Sequence, residues 1–143
     1  MGRMTGRSRF PVDASLILNA GTVALSAITT FTAWPLAQVG AVWQNPPDPR
    51  DGTVYVVGNV EAVTGSPTTL QLEIWAYDNV ALANPVKVSD HPLSVNEWFE
   101  IPTDQFAILR EYPTKTYWAA KLNIAGGTSP TATIFAYLAP DYD

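Results

Sequence analysis

The chain has 143 residues, room for one domain and too few for two comfortable ones. With 47% hydrophobic and only 15% charged residues it is no disordered chain, and it holds apolar material for a core with some to spare for an interface. The absence of cysteine excludes disulfides and thiolate chemistry, and the net charge of −5 hides an asymmetry. Arg3, Arg7 and Arg9 stand in an acid-free leader, while five basic residues face thirteen acids from Pro11 onward, so the body is a poor surface for phosphate and for nucleic acid.

In chain order, residues 1–12 read as a flexible basic arm that carries the three arginines and Phe10. A single domain follows over 13–143. Between Asp13 and Asp48 there is no charge, yet Asn19, Thr22, Ser26, Thr29 and Thr30 break up the apolar run. That interval predicts neither a signal peptide nor a membrane span. Ala14–Leu18 is a short apolar run, and Thr22–Thr32 is rich in strand-favouring Thr, Val, Ile and Phe. Trp34-Pro35 ends that stretch, Val39–Trp43 is a further candidate strand, and the prolines of residues 45–52 make a rigid exposed loop.

The clearer β signals come next. Thr53–Glu61 predicts a strand with Gly58 as its bulge, closed by a turn over Thr64–Pro67. Thr68–Tyr77 alternates with period two: Leu70, Leu72, Ile74 and Ala76 on one face, Gln71, Glu73, Trp75 and Tyr77 on the other. Val86–Ser89 is a short strand stopped by His91-Pro92, and Glu97–Ile101 is another stopped by Pro102. A single helical turn fits Thr103–Leu109. Lys115–Ala125 turns Trp118, Ala120, Leu122 and Ile124 inward. After a turn at Gly126–Pro130, the last strand sets Ala132, Ile134, Ala136 and Leu138 against Thr133, Phe135 and Tyr137. No segment sustains a helical period, and twelve prolines oppose long helices. The expected fold is all-β: an antiparallel β-sandwich, jelly-roll-like, of about eight strands with an extended N-terminal arm.

Reactive chemistry is hard to find. The single histidine, His91, has no G-x-S-x-G elbow to serve, and its neighbour Asp90 projects to the opposite face of a strand. One histidine and no cysteine make a poor zinc site, and Asp48 and Asp51 lack the spacing of a calcium loop. Glu97 and Glu100 read as edge-strand charges rather than a glycosidase pair. Phosphate-binding glycine motifs are missing. The expectation is therefore a binding protein and not an enzyme, with no catalytic residue, no cofactor and no metal.

Five Trp and six Tyr are many for this length. Trp75, Tyr77, Phe135 and Tyr137 fall opposite the aliphatic faces, where a one-sided sandwich would expose them to a partner. They join Arg3, Arg7, Arg9 and Phe10 as the candidate partner-binding residues. The alternative is that both faces of each sheet are buried within the monomer.

The segments TTLQLEIWAYDN (68–79), PVKVSD (85–90), FEIPTDQF (99–106) and KTYWAAKLNIAGGTSPTATIFAYLA (115–139) resemble, in pattern, the jelly-roll cement proteins of tailed bacteriophages of the Bordetella-phage type. DASLILNAGTVALSAITT (13–30) is similar to that family's opening, whereas the arm and the proline-rich loop do not match. The resemblance implies a homotrimer made in the host cytoplasm and seated on the outside of the virion's capsid. There it would clamp neighbouring major capsid proteins, touching neither nucleic acid nor membrane. A carbohydrate- or receptor-binding sandwich, or a tail or baseplate protein, is the alternative.

Overall fold

The computed structural model describes residues 17–21, 23–36 and 53–140. The arm with Arg3, Arg7, Arg9 and Phe10, the Val39–Trp43 candidate strand and the proline-rich loop lie outside the described residues. The elements run β1 (Ile17–Ala20), β2 (Thr29–Thr30), β3 (Trp34–Pro35), β4 (Thr53–Thr64), β5 (Thr69–Tyr77), β6 (Val86–Pro92), β7 (Trp98–Asp104), α1 (Gln105–Glu111), β8 (Tyr117–Ala125) and β9 (Thr131–Pro140). Among the described residues no helix is long and apolar enough to cross a membrane.

Two antiparallel sheets pack face to face. Sheet A has the order β1-β9-β4-β7, and sheet B the order β2-β8-β5-β6, with β3 also pairing β8. Taking β2 and β3 as one interrupted strand, consecutive strands switch between sheets in jelly-roll order, except β5 and β6, which pair with each other in sheet B. Period-two alternation on the central strands builds the core. Val54, Val56 and Val60 of β4 and Ala132, Ile134, Ala136 and Leu138 of β9 meet Leu72, Ile74 and Ala76 of β5 and Trp118, Ala120, Leu122 and Ile124 of β8. Trp118, Leu72, Leu122 and Ile134 are fully buried, and each such side chain contributes about 1.5–3 kcal/mol relative to exposure.

Several local expectations change. Gly58 is no bulge: it keeps register between Phe99 and Ala136, and the irregularity falls between Val60 and Ala62. Glycine is needed at 58 because a Cβ there would collide with the carbonyl oxygen of Phe135 and, at 2.5 Å, with the ring tip of Phe99. β6 continues past Ser89 through His91 and ends on Pro92, whereas Pro102 does not stop its strand: β7 runs on to Asp104, since it lies at a sheet edge, where a missing N–H costs no ladder bond. Likewise Trp34-Pro35 pairs with Tyr117 and Trp118 rather than ending the sheet. Among the described residues of the Thr22–Thr32 stretch, Thr29–Thr30 alone forms a strand, beside an isolated bridge from Leu25 to Ala132.

The expected helical turn is real and slightly later. Asp104 caps α1, its Oδ1 accepting from the Ala107 N–H at 3.0 Å, and Ile108 drops into the core. The β8–β9 turn uses Gly126 and Gly127 at φ of 80° and 66°, a conformation that glycine adopts freely.

Candidate functional site

Three regions present organised side chains: the outer face of each sheet, and a cleft along the side where β6 and β7 leave the sandwich open.

On the outer face of sheet B, alternation on β5 places Gln71, Glu73, Trp75 and Tyr77 away from the core. Glu73 is a buried carboxylate at 4% exposure. It accepts from Gln71 Nε2 at 2.6 Å, the Trp75 indole Nε1 at 2.7 Å and Asn123 Nδ2 at 3.0 Å. Burial pushes its pKa up, but the three N–H donors, with Lys87 nearby, outweigh that and hold it below the ordinary value. Lys121 stands 4.5 Å over the Trp75 ring, a cation–π contact. Burial raises the Tyr77 phenol, and a hydrogen bond to Thr30 acts in the opposite sense. This face is thus tied to itself by polar contacts. Trp75 is half-buried and Tyr77 only 3% exposed, which corrects the expectation that both stand out in solvent.

The outer face of sheet A differs in kind. Val57, Tyr137 and Ala139 form a second apolar cluster, with Ile17, Tyr55 and Phe135 packed against it. Phe135 and Tyr137 meet with ring centroids 5.4 Å apart in a tilted pair. Tyr137 is 3% exposed and Phe135 half-buried, so here too the aromatics are more covered than alternation alone implies. The large apolar group that does face solvent is Trp98, 45% exposed on β7 opposite Asn59. Aromatic alternation on β5 and β9 overlooks it. Its signal is the pair Trp98-Phe99: neighbours on a strand face opposite ways, and Phe99 covers Gly58.

The cleft has a volume of about 240 Å³ and is lined by Ile74, Val88, Ser89, His91, Pro102, Thr103, Asp104, Ala107, Ile108 and Glu111. Ser89 and His91 pair with Ile74 and Leu72, so both turn inward, and Ser89 Oγ lies 3.0 Å from His91 Nε2. Burial lowers the His91 pKa, with Asp90 opposing, so the ring is neutral at pH 7. A nucleophile–base pair also needs a group that orients the ring. Asp90 sits across from Glu73 on the outer face, and its carboxylate binds Lys87 at 3.0 Å. Ser89 and His91 therefore make a hydrogen-bonding pair inside a mostly apolar cleft. Thr103 adds a hydroxyl that is buried and has no hydrogen-bond partner, a state that costs about 1–3 kcal/mol. Among the described residues no three His, Cys, Asp or Glu side chains are grouped to hold a metal.

Comparison of the chain with protein-family models, curated proteins and solved structures finds no match.

Proposed function

We propose that the protein is a structural binding protein, a cement protein that sits as a homotrimer on the outside of a tailed-phage capsid and ties major capsid proteins together. The observation that carries this reading is the contrast between the two outer faces. Sheet B satisfies its own polar groups around Glu73, whereas the outer side of sheet A gathers an apolar cluster in which Val57, Tyr137 and Ala139 are buried, Ile17, Tyr55 and Phe135 are half-buried, and Trp98 on β7 is exposed. The outer face of a sandwich that meets only water is ordinarily polar, and an apolar one suits a macromolecular partner. The jelly-roll strand order agrees with the sequence resemblance, and the low charged fraction suits a chain with an interface to cover. A shell strained at its capsomer junctions gains from a trimer because linked contacts act at high effective concentration, even where each is weak.

The test is the solution mass by light scattering, followed by co-sedimentation with phage heads stripped of minor surface proteins. The expected results are three times the 15.5 kDa of one chain and saturable occupancy of the heads. A monomer that leaves the heads bare overturns the proposal. Specific sugar binding by the isolated protein would move a carbohydrate-recognition role into its place.

A further inference from the structure

We propose that copies of this chain meet head to tail, with residues 23–28 of one copy seating Ile28 in the apolar cleft between β6, β7 and α1 of the next. The inference rests on the trimer reading above and assigns the two surfaces that make the ring.

A closed ring of three cannot be built from one self-complementary patch. Each copy must offer two different surfaces that fit each other. The two flanks of the sandwich supply such a pair. The cleft touches both β6 and β7, the last strands of their sheets, so β1 and β2 share the other flank. There residues 23–28 lead from β1 towards β2, fastened to β9 by the paired backbones of Leu25 and Ala132. Val23 is 67% and Ile28 55% exposed, and Ala24, Ser26 and Ala27 are exposed beside them. Single apolar groups on a surface are ordinary, but an exposed run of this kind without one charge suits a partner better than water.

The opposite flank is its complement. The cleft is walled by Ile74, Val88, Pro102, Ala107 and Ile108. Its volume of about 240 Å³ falls below the ~300–1,000 Å³ of ordinary ligand pockets and suits an aliphatic side chain. Charge selects the occupant. Asp104 and Glu111 line the cleft and no Lys or Arg does, so two clefts brought together would oppose four carboxylates. Among the described residues the other exposed large apolar groups are Val80, Val95, Trp98 and Phe106. Val95 and Trp98 flank Glu97, whose charge repels those carboxylates. Val80 lies in the loop that Lys115 clamps through Asp78 and Asn84, and Phe106 belongs to α1, a wall of the cleft itself. Ile28 arrives without a charge: Glu61 comes close to Gly21, at the other end of the connection. This contact leaves the outer side of sheet A to the capsid.

The test uses the full-length chain, which has no cysteine, so that introduced thiols report alone. The double variant Ile28→Cys/Ala107→Cys is treated with a short bis-maleimide and run on a denaturing gel. Covalent dimers and trimers are expected, because the two sites lie on opposite flanks of one copy and come together only between copies. Ile28→Cys alone and Ala107→Cys alone are each expected to stay at the 15.5 kDa of one chain. By light scattering, Ile28→Asp should weaken trimer formation at least about tenfold, since its carboxylate meets Asp104 and Glu111. Ile28→Lys should stay within about threefold of wild type, and both should keep the wild-type melting temperature. A wild-type trimer without the 28–107 cross-link overturns this contact alone, as do dimers from either single variant or an undiminished trimer in Ile28→Asp. A wild-type chain that scatters as a monomer overturns the trimer reading and this contact with it.

Discussion

Replacing Glu73 by glutamine removes a charge and almost no volume, at a place where the carboxylate gathers three donors. Hydrogen bonds to a charged acceptor are worth about 1.5–3 kcal/mol each, and neutral ones about 1 kcal/mol. The glutamine oxygen can serve two of Gln71, Trp75 and Asn123, while its NH₂ group confronts the third donor. All three donors are only half-buried, so water recovers part of the loss, and relief from desolvating a charge returns a little more. The expected net cost of Glu73→Gln is about 2–3 kcal/mol at pH 7, a fall of about 1–2 M in the urea midpoint. The sign with pH follows from the depressed pKa. The unfolded carboxyl titrates near 4.5 and the folded one below it, so the stabilisation is complete above that value. It is lost as pH falls through the folded pKa. Urea unfolding followed by tryptophan fluorescence at pH 7, 5.5 and 3 reads both quantities. Equal midpoints at pH 7, or a gap that persists unchanged at pH 3, would refute the reasoning.

Gly58→Ala drives a methyl group into the Phe135 carbonyl and the Phe99 ring, and is expected to cost at least about 1–3 kcal/mol by thermal unfolding. Leu72→Ala, at a fully buried position in the centre of the core, is expected to cost about 2–5 kcal/mol in the same assay. His91 has a folded pKa below its unfolded 6.5, so the unfolded chain binds the extra proton first. Stability should therefore decline as pH drops from 6.5 to the folded pKa and level off below it, and His91→Gln should flatten that slope in a urea series. Trp98→Asp places a charge at the exposed apolar position of β7 and is expected to lower the light-scattering mass or the head occupancy while thermal stability stays within about 0.5 kcal/mol.

The sandwich is legible where alternation is strict and the apolar partners are large. Leu72, Ile74, Trp118, Leu122, Ile134 and Leu138 all enter the core from the faces their spacing assigns. The edges are less legible, because proline reads as a stop until the position of the strand in its sheet is known. Pro92 and Pro102 are tolerated only because β6 and β7 are outermost. Gly58 misleads for a similar reason: a lone strand glycine signals either a bulge or a close approach, and only the neighbouring Phe99 and Phe135 decide which. The fate of the outward aromatics depends on cross-strand neighbours. Trp75 is pinned by Glu73, two residues before it on the same face, and by Lys121, a partner fixed by the pairing of β5 with β8, which local spacing cannot foretell. The cleft is the least legible of all, since Ser89 and His91 line it together with Thr103 only through the juxtaposition of two edges from different sheets.

The prolines of the outer strands bear on how many copies of the molecule tolerate close quarters. Three of the four sheet edges carry one: Pro35 in β3, Pro92 in β6 and Pro102 in β7. Each deletes a backbone donor from a rim that would otherwise template a strand from the next molecule. Crowded side by side, such sandwiches are hindered from zipping edge to edge into a continuous ribbon, and neighbours are left to meet through side chains. A rim built in this way opposes fibre growth.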